Sequence, residues 1–125
     1  MREIRFRAWK ISGKYYFNDL YGFYFTSNGE KDQIHLIGSS VDKTFDSETI
    51  IIEQFTGLLD KSGVEIYEGD IIRGVEIDGF KNSLAEVRFG GGCFELYDGY
   101  GSYTPCLGEA DNRYIEIIGN IHDNK

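Results

Sequence analysis

A chain of 125 residues with 41% hydrophobic and 15% aromatic side chains holds enough apolar mass for a folded core, read here as one domain over 1–125, and excludes a disordered segment or a disulfide-stapled miniprotein. Its longest uncharged runs, Leu20 to Gly29 and Gly99 to Gly108, are ten residues long, short of the ~17 to 25 that a membrane-spanning helix needs. Thirteen Lys and Arg against twenty-one Asp and Glu give a net charge of -8, which repels phosphate backbones and sets nucleic acid aside as a partner.

The charge is uneven. Arg2, Arg5, Arg7, Lys10 and Lys14 face Glu3 alone in the first fourteen residues, so the molecule is an acidic body with a basic first strand. The expected use of that strand is pairing with acidic groups of the same domain or of a neighbouring subunit. The same interleaved charges break up any apolar leader, which predicts an unprocessed cytoplasmic protein whose Cys93 and Cys106 are reduced thiols.

Turn residues are dense and helical periodicity is sparse, which predicts an all-β or β-dominated fold of many short strands. In Glu3 to Trp9, Ile4, Phe6 and Ala8 alternate with Arg5, Arg7 and Trp9, so Arg7 and Trp9 share a face. Lys14–Asn18 and Phe23–Thr26 read as two strands joined across Asp19–Gly22, and Gln33–Ile37 follows the Ser27-Asn28-Gly29 turn. Ile51, Phe55 and Leu58 sit at helical spacing, but the stiff side chains of Thr49-Ile50-Ile51-Ile52 favour a pleated surface. The expectation is a strand over 49–56, with a helical turn just before it left open. Asp60–Gly63 is a turn whose glycine takes a positive φ, Val64–Tyr67 is the return strand, and Glu68-Gly69-Asp70 is a tight corner leading into Ile71-Ile72-Arg73. Such a corner suits a small twisted sheet or Src-homology-like barrel, by fold analogy. Asp78-Gly79 marks a turn before Ala85–Phe89, Gly90-Gly91-Gly92 reverses the chain into Cys93–Tyr97, and Tyr114–Ile121 closes the domain with Ile115, Ile117 and Ile121 inward. Ile4, Phe6, Phe55, Ile66, Ile71, Val87, Phe89, Leu96 and Ile117 are expected to share one core.

The segment from Tyr97 to Cys106 carries Tyr97, Tyr100 and Tyr103 among glycine and serine, with no basic residue. Tyrosine supplies amphipathic contact area at low entropic cost and small residues let a loop adapt, so these three tyrosines are the candidate partner-binding residues. The alternative is that they only cover the sheet. Catalytic chemistry has little to draw on. His35 and His122 are the two histidines, the cysteines lack metal-knuckle or redox spacing, and the triple glycine is followed by neither Lys nor Ser/Thr. No catalytic residue, metal site or cofactor is assigned. Carboxylates such as Glu65, Glu68 and Asp70 lie near one another because the chain is acidic, a weak signal for a hydrolase.

The central block Gln54-Phe55-Thr56-Gly57-Leu58-Leu59-Asp60-Lys61-Ser62-Gly63-Val64-Glu65-Ile66-Tyr67-Glu68-Gly69-Asp70-Ile71-Ile72 resembles the signature of the YopX family of phage and prophage proteins. Arg5-Phe6-Arg7-Ala8-Trp9 and Ile115-Glu116-Ile117-Ile118-Gly119-Asn120-Ile121 are similar to that family's two ends. Lys10, Leu59 and Val64 depart from the family's usual residues. The resemblance implies a prophage-encoded protein of the host cytoplasm, with no established activity and a tendency to self-associate. Two readings follow. One is a non-catalytic module that binds its own copies or a host or phage protein. The other is a small hydrolase-like enzyme with a shallow carboxylate site.

Overall fold

The computed structural model describes residues 4–77, 80–90, 92–97, 105–109 and 112–123. Strands dominate, as the composition predicts, and among the described residues the helical content is confined to the single 3-10 turns Ser47–Thr49, Leu107–Glu109 and Asn112–Tyr114. The fold is all-β. The strands are β1 (Phe6–Lys10), β2 (Tyr15–Ser27), β3 (Asp32–Gly38), β4 (Asp42–Asp46), β5 (Ile50–Leu59), β6 (Glu65–Tyr67), β7 (Asp70–Ile77), β8 (Phe80–Gly90), β9 (Cys93–Tyr97) and β10 (Glu116–Asn120). They form a sheet of order β4-β3-β2-β1-β5-β6 and a second of order β10-β7-β8-β9. No helix among the described residues is long and apolar enough to cross a membrane.

The chain divides inside β5 into two compact units, 1–55 and 56–125. Each has its own core, which corrects the expectation of one shared core. In the first unit Ala8, Leu20, Ile34, Leu36, Val41 and Ile50 are buried, with Phe6, Phe17, Phe23, Phe45 and Ile52 packed on them. In the second, Ile66, Ile72, Ala85, Val87, Phe94, Leu96, Leu107 and Ile115 are buried, with Leu58 and Ile117 against them. Ile4 and Phe89, expected inside, are exposed. Phe89 follows Ala85 and Val87 at the spacing of one sheet face and meets the buried Phe94 edge-on across the β8–β9 pair, yet it sits at the rim of the core and is 59% exposed.

In the first unit the predicted alternation of β1 holds: Ala8 is fully buried and Arg7 and Trp9 lie on the opposite face. The two strands expected on either side of Asp19–Gly22 are one strand, β2. It pairs with β1 as far as Leu20 and with β3 from Leu20 onward, and the register slips between Leu20 and Gly22. Asp19, at φ 56°, and that slip absorb the irregularity that reads as a turn in the sequence. Beyond β3, β4 is a strand that polar Asp42-Lys43-Thr44 conceals in the sequence. The open alternative near residue 47 resolves as a 3-10 turn, Ser47–Thr49, leading directly into β5.

In the second unit the two predicted glycine corners hold. Gly63 and Gly69 have φ of 83° and 87°. Around the second corner the Gly69 N–H donates to the Val87 carbonyl at 2.9 Å and the Gly69 carbonyl accepts from Ile121 N–H at 2.8 Å, so the corner joins β8 to the end of β10. Gly69→Val is expected to lower stability by about 1 to 3 kcal/mol through the forced backbone conformation, read as a drop in the urea midpoint at unchanged slope. A variant as stable as the parent would show that the corner can relax. Gly90 pairs with Cys93 to close the β8–β9 reversal, while Asp78-Gly79 lies outside the described residues.

Candidate functional site

Of the three tyrosines singled out in the sequence, Tyr97 is the last residue of β9, and Tyr100 and Tyr103 lie outside the described residues. Tyr97 stands opposite Glu86 across the β8–β9 pair, with the Arg88 guanidinium 3.8 Å from its ring centroid. Arg88 donates from Nε and Nη2 to the two Glu86 carboxylate oxygens at 2.9 and 3.2 Å, and this hydrogen bonding holds its pKa above the ordinary arginine value. Beyond the loop, Leu96 N–H donates to the Pro105 carbonyl and Cys106 bridges to Glu95. The returning chain thereby runs alongside β9, and Cys93 and Cys106 form a disulfide with Cα atoms 6.0 Å apart. That corrects the expectation of free thiols. Sequence spacing hides an adjacency that strand return creates, and neither sulfur is a nucleophile in this state.

The outward face of β1 in the first unit holds a buried charge. Glu53, directly opposite Arg7 in the β1–β5 register, is only 3% exposed. Its Oε1 accepts from Arg7 Nε at 2.8 Å and from Tyr16 Oη at 2.9 Å. The Arg7 guanidinium also covers the Tyr16 ring at 4.3 Å, and Trp9 meets the same ring edge-on at 4.8 Å. The basic first strand therefore does pair within its own chain, here and between Arg5 and Asp19 at 3.9 Å. In the sequence, Glu53 is only the polar residue that interrupts an apolar strand.

On β3, His35 stacks on Tyr24 at 5.0 Å, with Nδ1 2.7 Å from Thr44 Oγ1 and Nε2 2.6 Å from Asp42 Oδ1. The His–Asp contact has the look of a catalytic pair. A general base, however, must turn one ring nitrogen toward the substrate, and here both are engaged by β4. His35 clamps β3 to β4.

The second unit contains an open cavity of about 410 Å³ lined by Lys61, Arg73, Tyr114 and Glu116. Register assembles it. Arg73 on β7 and Glu116 on β10 are cross-strand partners, and Arg73 Nη2 donates to Glu116 Oε1 at 2.5 Å. Lys61 is held by its N–H donating to the Ile115 carbonyl at 2.8 Å. Tyr114 comes close because Gly74, at φ 99°, has no side chain; a Cβ there would collide with the Tyr114 carbonyl oxygen. The Arg73 hydrogen bond, aided by the Lys61 charge, holds Glu116 below the usual glutamate range.

Below the cavity, Asp60 organises the turn that carries Lys61. Its Oδ1 accepts from Ser62 and Val64 N–H at 2.8 and 3.0 Å, and its Oδ2 accepts from Ile117 N–H at 3.2 Å. Burial pushes its pKa up, but the hydrogen bonds from Val64, Ile117 and Ser62 outweigh burial and hold it below the ordinary aspartate value. The carboxylates considered for hydrolysis are spent on structure as well. Asp70 is buried and accepts from Tyr67 N–H at 2.8 Å, and Glu65 accepts from Tyr67 Oη at 3.3 Å. Among the described residues no three His, Cys, Asp or Glu side chains converge as a metal site. The cavity residues are missed in the sequence because Arg73 and Glu116 are 43 positions apart and only strand register joins them.

A family model described as YopX protein matches residues 5–125. The chain belongs to the YopX family. Two solved structures share the YopX-family fold seen here. Protein EF1440 from Enterococcus faecalis superposes with a TM-score of 0.62 at 22% identity, over 99% of this chain and 96% of the other. Protein yopX from Bacillus subtilis gives 0.59 at 21% identity, over 99% and 94%. No curated protein matches significantly.

Proposed function

We propose that this YopX-family protein is a non-catalytic binding module, encoded by a phage or prophage and acting by contacting its own copies or a host or phage protein. The observation that supports this reading is the aromatic surface of β2, where Tyr21 is 76% and Phe25 68% exposed. Large rings left in water are where burial against a partner gives most, at about 25 cal/mol per Å² of apolar area, and Tyr and Phe are enriched at interface centres. Phe25 continues the edge-to-face series Phe6, Phe23, Phe25 out of the core, so a partner ring can extend packing that already exists. Tyr97, Tyr100 and Tyr103 remain a second proposed contact.

The hydrolase reading has weaker support. A glycosidase-type general acid needs a carboxyl pKa raised toward neutrality. Asp60 and Glu116 are shifted the opposite way.

The test is sedimentation velocity over a wide concentration range, with the Tyr21→Ser/Phe25→Ser variant beside the parent. The parent is expected to self-associate, or to retain a defined partner from the phage-infected host, and the variant to lose that contact by about tenfold or more while melting within a few degrees of the parent. A variant that associates like the parent, or that loses stability and association together, overturns the assignment to β2.

A further inference from the structure

We propose that the cavity lined by Lys61, Arg73, Tyr114 and Glu116 is a binding site for a carboxylate attached to a flat or apolar group. The site lies within the second unit and does not depend on the β2 contact. Three features of the cavity carry the assignment: its charge, its one ring and its rigidity.

In a chain of net charge -8, the lining bears two cations and one carboxylate. Asp60 beneath Lys61 adds a second carboxylate and Arg113 beside Tyr114 a third cation, so the surroundings carry one net positive charge, which matches a monoanion. A doubly charged phosphate would bring uncompensated charge against Glu116 and Asp60, and a neutral ligand would leave the Lys61 ammonium only its longer-range attraction to those two carboxylates. Arg73 is already committed to Glu116 through Nη2, whereas the Lys61 ammonium has no ion-pair partner within 4 Å among the described residues. Lys61 is therefore the group that receives the carboxylate, with the guanidinium edge beside it. Tyr114 presents an exposed ring, with the Arg113 guanidinium 5.7 Å from its centroid. A planar or apolar group attached to the acid packs on that ring.

The backbone beneath the walls is fixed before any ligand arrives. Lys61 is tied by its N–H to Ile115, the Lys61 turn is held by Asp60, and Arg73 and Glu116 belong to paired strands. A volume of about 410 Å³ admits a ring and a carboxylate together.

The experiment titrates sodium benzoate into the full chain at constant ionic strength, following backbone amide shifts by NMR, with phenyl phosphate and benzyl alcohol as companions. Benzoate is expected to saturate with a dissociation constant on the order of millimolar, moving Lys61, Arg73, Gly74 and Tyr114. Lys61→Gln should weaken it about fivefold. Glu116→Gln should strengthen it, because Arg73 is released and the repelling charge is gone. Both side chains sit at the surface, and amide spectra of the free variants check that each is folded. Two further probes separate the sources of such an acid: a short peptide ending in phenylalanine with a free C-terminus, and its amidated form. Tighter binding of the free peptide identifies a protein C-terminus, whereas peptide binding no tighter than benzoate identifies a small free acid. Non-saturable benzoate shifts, stronger binding of phenyl phosphate or benzyl alcohol, or an unchanged affinity in Lys61→Gln overturns the proposal.

Discussion

Replacing Arg7 with methionine is expected to destabilise the first unit by about 3 to 5 kcal/mol, the usual effect of removing one partner of a buried ion pair. The Glu53 carboxylate stays inside β5, and the guanidinium that bonds its Oε1 at 2.8 Å is lost together with its cover over Tyr16. The double variant Arg7→Met/Glu53→Leu removes the stranded charge along with the cation. It should recover most of that loss, because an apolar pair of similar volume needs no counter-charge. Urea unfolding of the parent and both variants measures this. Equal midpoints for the single and double variants would mean that Glu53 finds other compensation without Arg7.

The second large effect is expected at Asp60. Asp60→Asn keeps the shape but offers an NH2 group where the aspartate has an acceptor, so at least one of the Ser62, Val64 and Ile117 N–H donors faces a donor. The expected loss is about 2 to 4 kcal/mol, from a partly buried N–H left unsatisfied and from the loss of charge-assisted bonds. The same geometry sets a pH dependence. Asp60 has a folded pKa below its unfolded value, so the unfolded chain binds the proton more readily. Its contribution is present above the unfolded pKa and is lost as pH falls through the folded one. In acid the parent should therefore lose stability faster than Asp60→Asn, and the gap between them should narrow. A gap that stays constant from neutral pH to strong acid would show that the ionised carboxylate is not what holds the turn.

Strand identity was legible wherever apolar and polar residues alternate, as in β1 and β9, and wherever glycine demands a positive φ, as at Gly63 and Gly69. Alternation names a face but not the limit of the core, so Phe89 reads as buried beside Val87 and is not. It also fails where a strand carries few apolar residues. β4 exists because Thr44 and Asp42 hold His35 and because Phe45 packs on the first core, none of which is local in sequence. The site was less legible still. Arg73–Glu116, Arg7–Glu53 and Cys93–Cys106 are each made by register or by strand return, and composition drew attention instead to a tyrosine loop of which only Tyr97 is described.

The place of β1 in its sheet bears on the order of events during synthesis. β1 leaves the ribosome before every other strand of its sheet, yet it lies between β2 and β5, with Phe6 paired to Gln54 and Lys10 to Ile50. The neighbouring pairs β2–β3 and β3–β4 join segments close in sequence and can close as each emerges, at little loop entropy. On its β5 side, β1 must wait until some forty further residues have been made. Through that interval one edge of β1, with the Arg7 charge beside it, stays open to water and to other chains. A cationic side chain on an open strand discourages pairing with a second nascent copy of the same strand, so the residue that later meets Glu53 also guards the edge while its partner is still being translated.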